Sequence, residues 1–313
     1  MTKEKKQQNK KFNPYQHITD KIIEALEKGV GPWVRPWDDS DVQFGLHRNA
    51  VSDHVYRGIN VLLLNLVAFE KGYTDPRWVT FNDAKKLGGY INKGEKHTKI
   101  VFWKYLEFKD KTEDKVIDAG ETESKKVVPL LRFYRVFNVE QCLNLNLKEL
   151  PKPDDGAIEG EVNSFAEAIL SLPTIRHGGT KAAYYPDHDF IQMPPKSAFL
   201  NTNHYFATSF HETIHWTGHE SRLNRNFSKR FGDSCYAVEE LVAEIGSAFL
   251  GGHAGLSFKE MRHPEYIQSW IRRLKDNNKV IFTVCRMAQA ASDFMLEKAQ
   301  IKTTETVDDV SNL

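Results

Sequence analysis

The chain has 313 residues, a formal net charge of +1, 40% apolar and 12% aromatic residues. This is enough apolar material for two ordinary folded cores, which excludes wholesale disorder, and the near-balanced charge leaves nucleic-acid binding to a local basic surface. Three scattered cysteines, Cys142, Cys235 and Cys285, argue against a disulfide framework or a cysteine-based zinc site and fit a reducing compartment.

Residues 1–13 are polar and low in complexity and read as a disordered arm. Their basic residues precede no apolar stretch, so no secretion signal is expected. A helix is predicted over 15–29, where Ile18, Ile22, Ile23 and Leu26 share a face and Gly29 stops it. The following "VGPWVRPW" reads as a rigid loop, and 56–73 as a second helix. The run "VLLLNLVAF" in that helix is too short to span a bilayer, so a cytoplasmic protein without membrane contact is expected. A short third helix falls in 78–89. The β-branched and aromatic runs 96–108 and 127–142 predict a hairpin whose charged connection, 109–126, reads as a loop.

"LKELPKPDDGAIEGE" has the Pro, Asp and Gly content of a linker. The expected division is an arm (1–13), a first domain (14–146), a linker (147–160), a second domain (161–302) and a tail (303–313). In the second half, "AAYYPDHDFIQMP" predicts two short strands around a polar turn, and helices are predicted over 205–219, 235–255 and 265–299. No internal repeat is present.

Chemistry concentrates in "TSFHETIHWTGHESRL". Residues four apart on a helix share a face, so His211 and His215 can aim two imidazoles at one ion. Glu212 then reaches a metal-bound water as general base. The bland alternative is a hydrogen-bonded polar pair on a buried helix. The longer HExxHxxGxxH pattern fails because its last position is Ser221, and His219 lies beyond the helix-breaking Gly218. In "AVEELVAEIGSAFL", Glu240 and Glu244 share a face, with Leu241, Val242, Ile245 and Ala248 as apolar anchors. Glu239 and Glu240 could instead be solvated, whereas Glu244 sits in an apolar run where a carboxylate needs a partner.

This second helix resembles that of thermolysin-like gluzincins. The resemblance implies that Glu240 is the third ligand and Glu244 an outer carboxylate holding a ligand histidine, although this chain has Glu where that family has Asp. Zn2+ is the implied ion, with Mn2+ or Co2+ compatible with a donor set of two histidines and one carboxylate.

Over nearly its whole length the chain resembles ArdC-type antirestriction proteins. "ITDKIIEALEKGVGPWVRPW", "YRGINVLLL", "WVTFNDAKKLGG", "NKGEKHTKIVFW" and "RFYRVFNVEQC" match the N-terminal domain of that family. "YYPDHDFIQMP", "HETIHWTGHESRLNR" and "EELVAEIGSAFL" match its zincin-like C-terminal domain. The resemblance implies an α+β protein of a mobile element. An N-terminal α/β domain, shared with conjugative TraC primases, would bind single-stranded DNA ahead of a zincin-like metallopeptidase domain acting on a protein substrate. Incoming DNA would thereby be protected from host restriction. A non-catalytic DNA-coating protein with a structural metal is the alternative. An accessory role in priming is weaker, because no nucleotide-binding Gly-rich loop or polymerase-like Asp cluster is present.

Candidate DNA contacts are Lys85, Lys86, Lys93 and Lys96 in a basic stretch containing Tyr90 and Trp103, together with Arg57, Arg132, Tyr134 and Arg135. Trp103 and Tyr105 share a strand face and offer a stacking platform, although strand aromatics also serve as core. Asp187, His188 and Asp189 could approach the metal site or lie on the surface.

Overall fold

A computed structural model describes residues 13–34, 46–109, 125–150, 155–225, 234–256 and 264–302, excluding the side chains of 103–109, 125–130, 155–161, 234, 235 and 264. The arm up to residue 12, the loop at 110–124, the tail from 303 and the side chains of Trp103 and Tyr105 therefore lie outside the described residues.

Helix α1 (Pro14–Glu27) starts at Asn13, whose side chain accepts from the backbone N–H of Tyr15 and Gln16, with proline at the first helical position. Its apolar face carries Ile18, Ile22 and Leu26, all buried. Strand β1 (Arg48–Asn49) precedes α2 (Ile59–Lys71), a helix buried throughout Ile59–Leu64 that ends on Gly72 in the left-handed conformation. Strand β2 (Arg77–Val79) then leads into α3 (Phe81–Lys86). There Thr80 and Asp83 close a reciprocal capping box, so the predicted helix over 78–89 is a strand followed by a shorter helix.

Strand β3 (Tyr90–Ile91) feeds the predicted hairpin, β4 (Thr98–Lys109) and β5 (Lys125–Asn138), which is followed by β6 (Cys142–Leu143). The main sheet runs β1-β2-β5-β4, with β1 and β2 parallel and the other pairs antiparallel. β3 and β6 form a separate antiparallel ribbon.

The second half opens with α4 (Asp155–Leu170), so the predicted linker already contains the first turn of a helix. Val162, Ala166 and Ile169 repeat at helical spacing and are buried, a period masked by the Pro-Asp-Gly composition ahead of them. A three-stranded sheet follows, with β7 (Ile175–His177), β8 (Ala183–Tyr185) and β9 (Phe190–Met193) in the order β7-β9-β8. Among the described residues four α-helices complete the unit: α5 (Thr202–Thr217), α6 (Ser234–His253), α7 (Ile267–Asp276) and α8 (Val280–Lys298). The single helix predicted over 265–299 breaks at Asn277, which adopts an extended conformation.

One apolar core joins Ile22, Trp33 and Leu62 of the first half to Phe210, Leu241, Trp270 and Ile281 of the second. Polar contacts cross at the same seam. Thr19 Oγ1 donates to Asn278 O at 2.7 Å, and Trp33 Nε1 to Glu244 Oε2 at 3.1 Å. Gly252 gives room there, since a Cβ on it would stand 2.6 Å from Leu46 Cδ2. Among the described residues no helix is long and apolar enough to cross a membrane.

Candidate metal centre

Helix α5 is buried along one continuous stretch, Tyr205–His215. Phe206, Phe210 and Ile214 recur at four-residue spacing and lock its rotation in the core. Thr208 and Ser209 return their hydroxyls to the carbonyls four residues earlier, at 2.8 Å each, so these buried polar groups are satisfied within the helix. Helix α6 is held by Leu241, Val242, Ile245 and Phe249. It crosses close to α5 at Gly246, where a Cβ would lie 3.0 Å from Ile214 Cδ1.

That crossing brings His211, His215 and Glu240 together, with one ligand atom of each within 4.8 Å of the others. The two Nε2 atoms are 3.2 Å apart. Glu240 Oε2 is 3.4 Å from His211 Nε2, and its Oε1 is 3.7 Å from His215 Nε2. A tetrahedral ion with bonds of about 2.0–2.1 Å separates its donor atoms by roughly 3.3 Å, so these spacings fit one ion. All three residues are buried, Glu240 at 4% exposure, so the bland reading of a solvated Glu240 is overturned.

The charges of the clustered side chains are coupled. Burial opposes protonation of His215, but Glu239 and Glu240 outweigh it and push the pKa up to about 10. Burial would raise the Glu240 carboxyl, yet the two imidazoles hold it well below the ordinary carboxylate range. The imidazoles and the carboxylates thus each favour the other's charged form.

Glu212 is also buried, and its Oε2 accepts the backbone N–H of Tyr184 at 2.9 Å. Tyr184 lies in the edge strand β8, so the sheet edge borders the donor set. The turn after β8 is clamped by Arg222, whose Nη1 donates to Asp189 Oδ2 at 2.9 Å while its guanidinium stacks 3.9 Å over Trp216. Asp189 also accepts from Tyr184 Oη at 2.9 Å, so this acid fixes the strand that meets Glu212.

The acid against the outer nitrogen of His215 is Glu239 rather than Glu244, with Oε1 3.2 Å from Nδ1. Glu244 instead accepts the Trp33 indole N–H. Arg225 secures Glu239 through Nε to Oε2 at 3.0 Å and Nη2 to Oε1 at 2.8 Å, and it also donates to Thr217 Oγ1 and Ile214 O. Sequence reasoning missed Glu239 as a partner, and it missed Arg225, Tyr184 and Tyr236. The Tyr236 phenol, one turn before Glu240, is raised by burial and by the Glu240 carboxylate beside it. His219 turns to Ser221 Oγ at 2.8 Å and is not among the clustered donors.

The candidate DNA contacts separate into two groups. Arg57 pairs with Asp293 of α8, and Tyr134 packs edge-on against Phe102 at 5.0 Å beside a small core around Trp78. Both are engaged in structural contacts. Lys86 reaches Asp83 at 3.3 Å, and Lys85 lies 4.8 Å over the Phe81 ring. Lys93, Lys96, Arg132 and Arg135 are exposed.

Two family models match the chain. The N-terminal domain of anti-restriction factor ArdC covers residues 12–137, and a zincin-like metallopeptidase domain covers 162–287. A crystal structure of the antirestriction protein ArdC from plasmid R388, in its metal-free form, is 37% identical with a TM-score of 0.72, covering 94% of this chain and 100% of that one. An Mn(II)-bound structure of the same plasmid protein aligns at 35% identity with the same TM-score, over 93% of this chain and 100% of that one. An uncharacterised protein of Sinorhizobium fredii is 33% identical across 90% of this chain and 91% of its own length. A DNA primase TraC of Escherichia coli is 36% identical over 93% of this chain, which spans only 28% of that primase.

Proposed function

The chain belongs to the ArdC family of antirestriction proteins, and from that premise we propose that it protects incoming DNA by combining single-strand binding with a metal-dependent peptidase centre. The observation that carries the catalytic half is the convergence of His211, His215 and Glu240, with Glu212 held beside them by the edge strand.

His211, His215 and Glu240 would hold the divalent ion, zinc or manganese by donor type. The ion, when bound, acts as a Lewis acid that lowers the pKa of a coordinated water. Glu212 would serve as the general base, holding a proton at its carboxylate and passing it to the leaving amine. The Tyr184 N–H orients Glu212 for this exchange, and it sets the edge strand β8 beside the position an extended peptide would take. Glu239, braced by Arg225, fixes the His215 ring through Nδ1. The first half supplies cations and exposed aromatics for a single strand of DNA, since electrostatic contact with phosphates and stacking on bases are what such binding requires.

The test is Glu212→Gln, assayed for metal content, proteolysis and protection of transferred DNA. Retained metal with loss of both cleavage and protection supports the reading. Full protection by the variant would mean that hydrolysis is dispensable and that strand binding alone protects.

A further inference from the structure

Away from the metal centre, like charge accumulates at the open end of the β4–β5 hairpin. Lys99 and Arg135 are direct Cα partners in the antiparallel register, and both are exposed. Opposed residues of such a pair project from one face with Cβ atoms roughly 5 Å apart, where opposite charges stabilise and like charges repel.

The surroundings add to the excess. His97, just before β4, packs edge-on against Phe137 at 6.2 Å, while His17 and Lys21 lie exposed on α1. The field reaches both imidazoles. Burial, then Arg135 and Lys99, lower the His97 pKa, and burial, then Lys21 and Lys99, lower that of His17. Asp20 acts on His17 in the opposite sense, and its Oδ1 accepts from Gln16 at 2.7 Å. Lys99 also reaches over the Phe133 ring, 5.9 Å from its centroid, so both cations stand on one exposed face that an anion can approach.

We propose that Lys99 and Arg135, flanked by His97 and by Lys21 of α1, bind backbone phosphates of single-stranded nucleic acid. This assignment rests on the single-strand reading above. A strand fits better than a free anion because a stacking surface continues from the same elements. Tyr90 and Leu143 are Cα partners in the β3–β6 ribbon and are 54% and 47% exposed, while Ile91 and Cys142 pack inward beneath them. β3 runs into β4, and β5 runs into β6, within a few residues. Cations for phosphates and a face for bases thus lie on elements consecutive in the chain.

The experiment is fluorescence anisotropy of the whole chain with a labelled oligonucleotide across a salt series. The proteins compared are wild type, Lys99→Gln/Arg135→Gln, the charge-keeping Lys99→Arg/Arg135→Lys, and Lys28→Gln, which removes an exposed lysine paired with Glu24. Losing two phosphate contacts should lower the slope of log affinity against log salt by about 1.4, since each contact on a single strand contributes about 0.7. The charge-keeping variant and Lys28→Gln should retain the wild-type slope. The neutralised variant should melt close to wild type, because substitutions of exposed side chains change stability little. A neutralised variant with wild-type slope and affinity, beside a wild type that binds, overturns this site and leaves the single-strand reading standing. A wild type that binds no strand overturns both. Competition by inorganic phosphate as effective as an unlabelled strand of equal phosphate content would overturn the strand as occupant.

Discussion

Glu239 and Glu240, consecutive in sequence, approach opposite nitrogens of one imidazole: Glu239 Oε1 lies 3.2 Å from His215 Nδ1, and Glu240 Oε1 lies 3.7 Å from its Nε2. The pair therefore divides two tasks, one orienting the ring from outside and the other facing His211 and His215 at the candidate metal position. Removing the outer contact is expected to weaken metal affinity by about 10- to 100-fold without abolishing binding at saturating metal. Titration of Glu239→Gln against a chromophoric chelator measures this, and an unchanged affinity would remove Glu239 from the site.

Trp33 joins the first half to α6 through its indole N–H on Glu244. It also meets Trp270 edge-on at 5.7 Å. Trp33→Phe keeps much of the packing and deletes the donor to a buried carboxylate, so about 2 kcal/mol of stability should be lost. Chemical denaturation gives the difference directly.

Gly246 and Ile214 set the distance between the two ligand-bearing helices, with a Cβ at 246 lying 3.0 Å from Ile214 Cγ2. Gly246→Ala should destabilise by about 1–3 kcal/mol through overpacking, and Ile214→Ala in the same chain should cost less than the sum of the two changes. A double-variant cycle by denaturation checks the coupling.

His253, at the end of α6, is lowered to about 4, chiefly by burial, with Asp293 opposing and Arg57 assisting. Its folded pKa lies below the unfolded value of about 6.5, so the neutral ring is favoured in the fold. That contribution is present in full above about pH 6.5 and is lost as pH falls toward 4, at up to about 1.4 kcal/mol per pH unit. His253→Gln should flatten the acid limb of stability between pH 6.5 and 4, as followed by urea midpoints.

How much of this was legible in the sequence depended on how local the signal was. The His211–His215 spacing is a property of one helix, and the apolar neighbours of Glu240 marked its helix as buried. The hairpin showed through its β-branched and aromatic runs. Glu239 was hidden because consecutive helical residues diverge by roughly 100°, so one of two adjacent acids is expected to face away. Here α6 lies against the outer edge of His215, so both acids face the site. Arg225 lies in the segment after α5, and only the folded chain brings it to Glu239. The Trp33–Glu244 contact spans 211 positions, beyond any local pattern. Helix α4 was masked by the turn-forming residues at its start, and Arg57 and Tyr134 looked available only because their partners, Asp293 and Phe102, are tertiary.

The most direct measurement is metal stoichiometry by elemental analysis of purified wild type, His215→Ala and Glu240→Ala after equilibration with limiting zinc or manganese. One ion per wild-type chain, with less than a tenth of that in either variant, is the predicted result. Equal metal in all three proteins would contradict it.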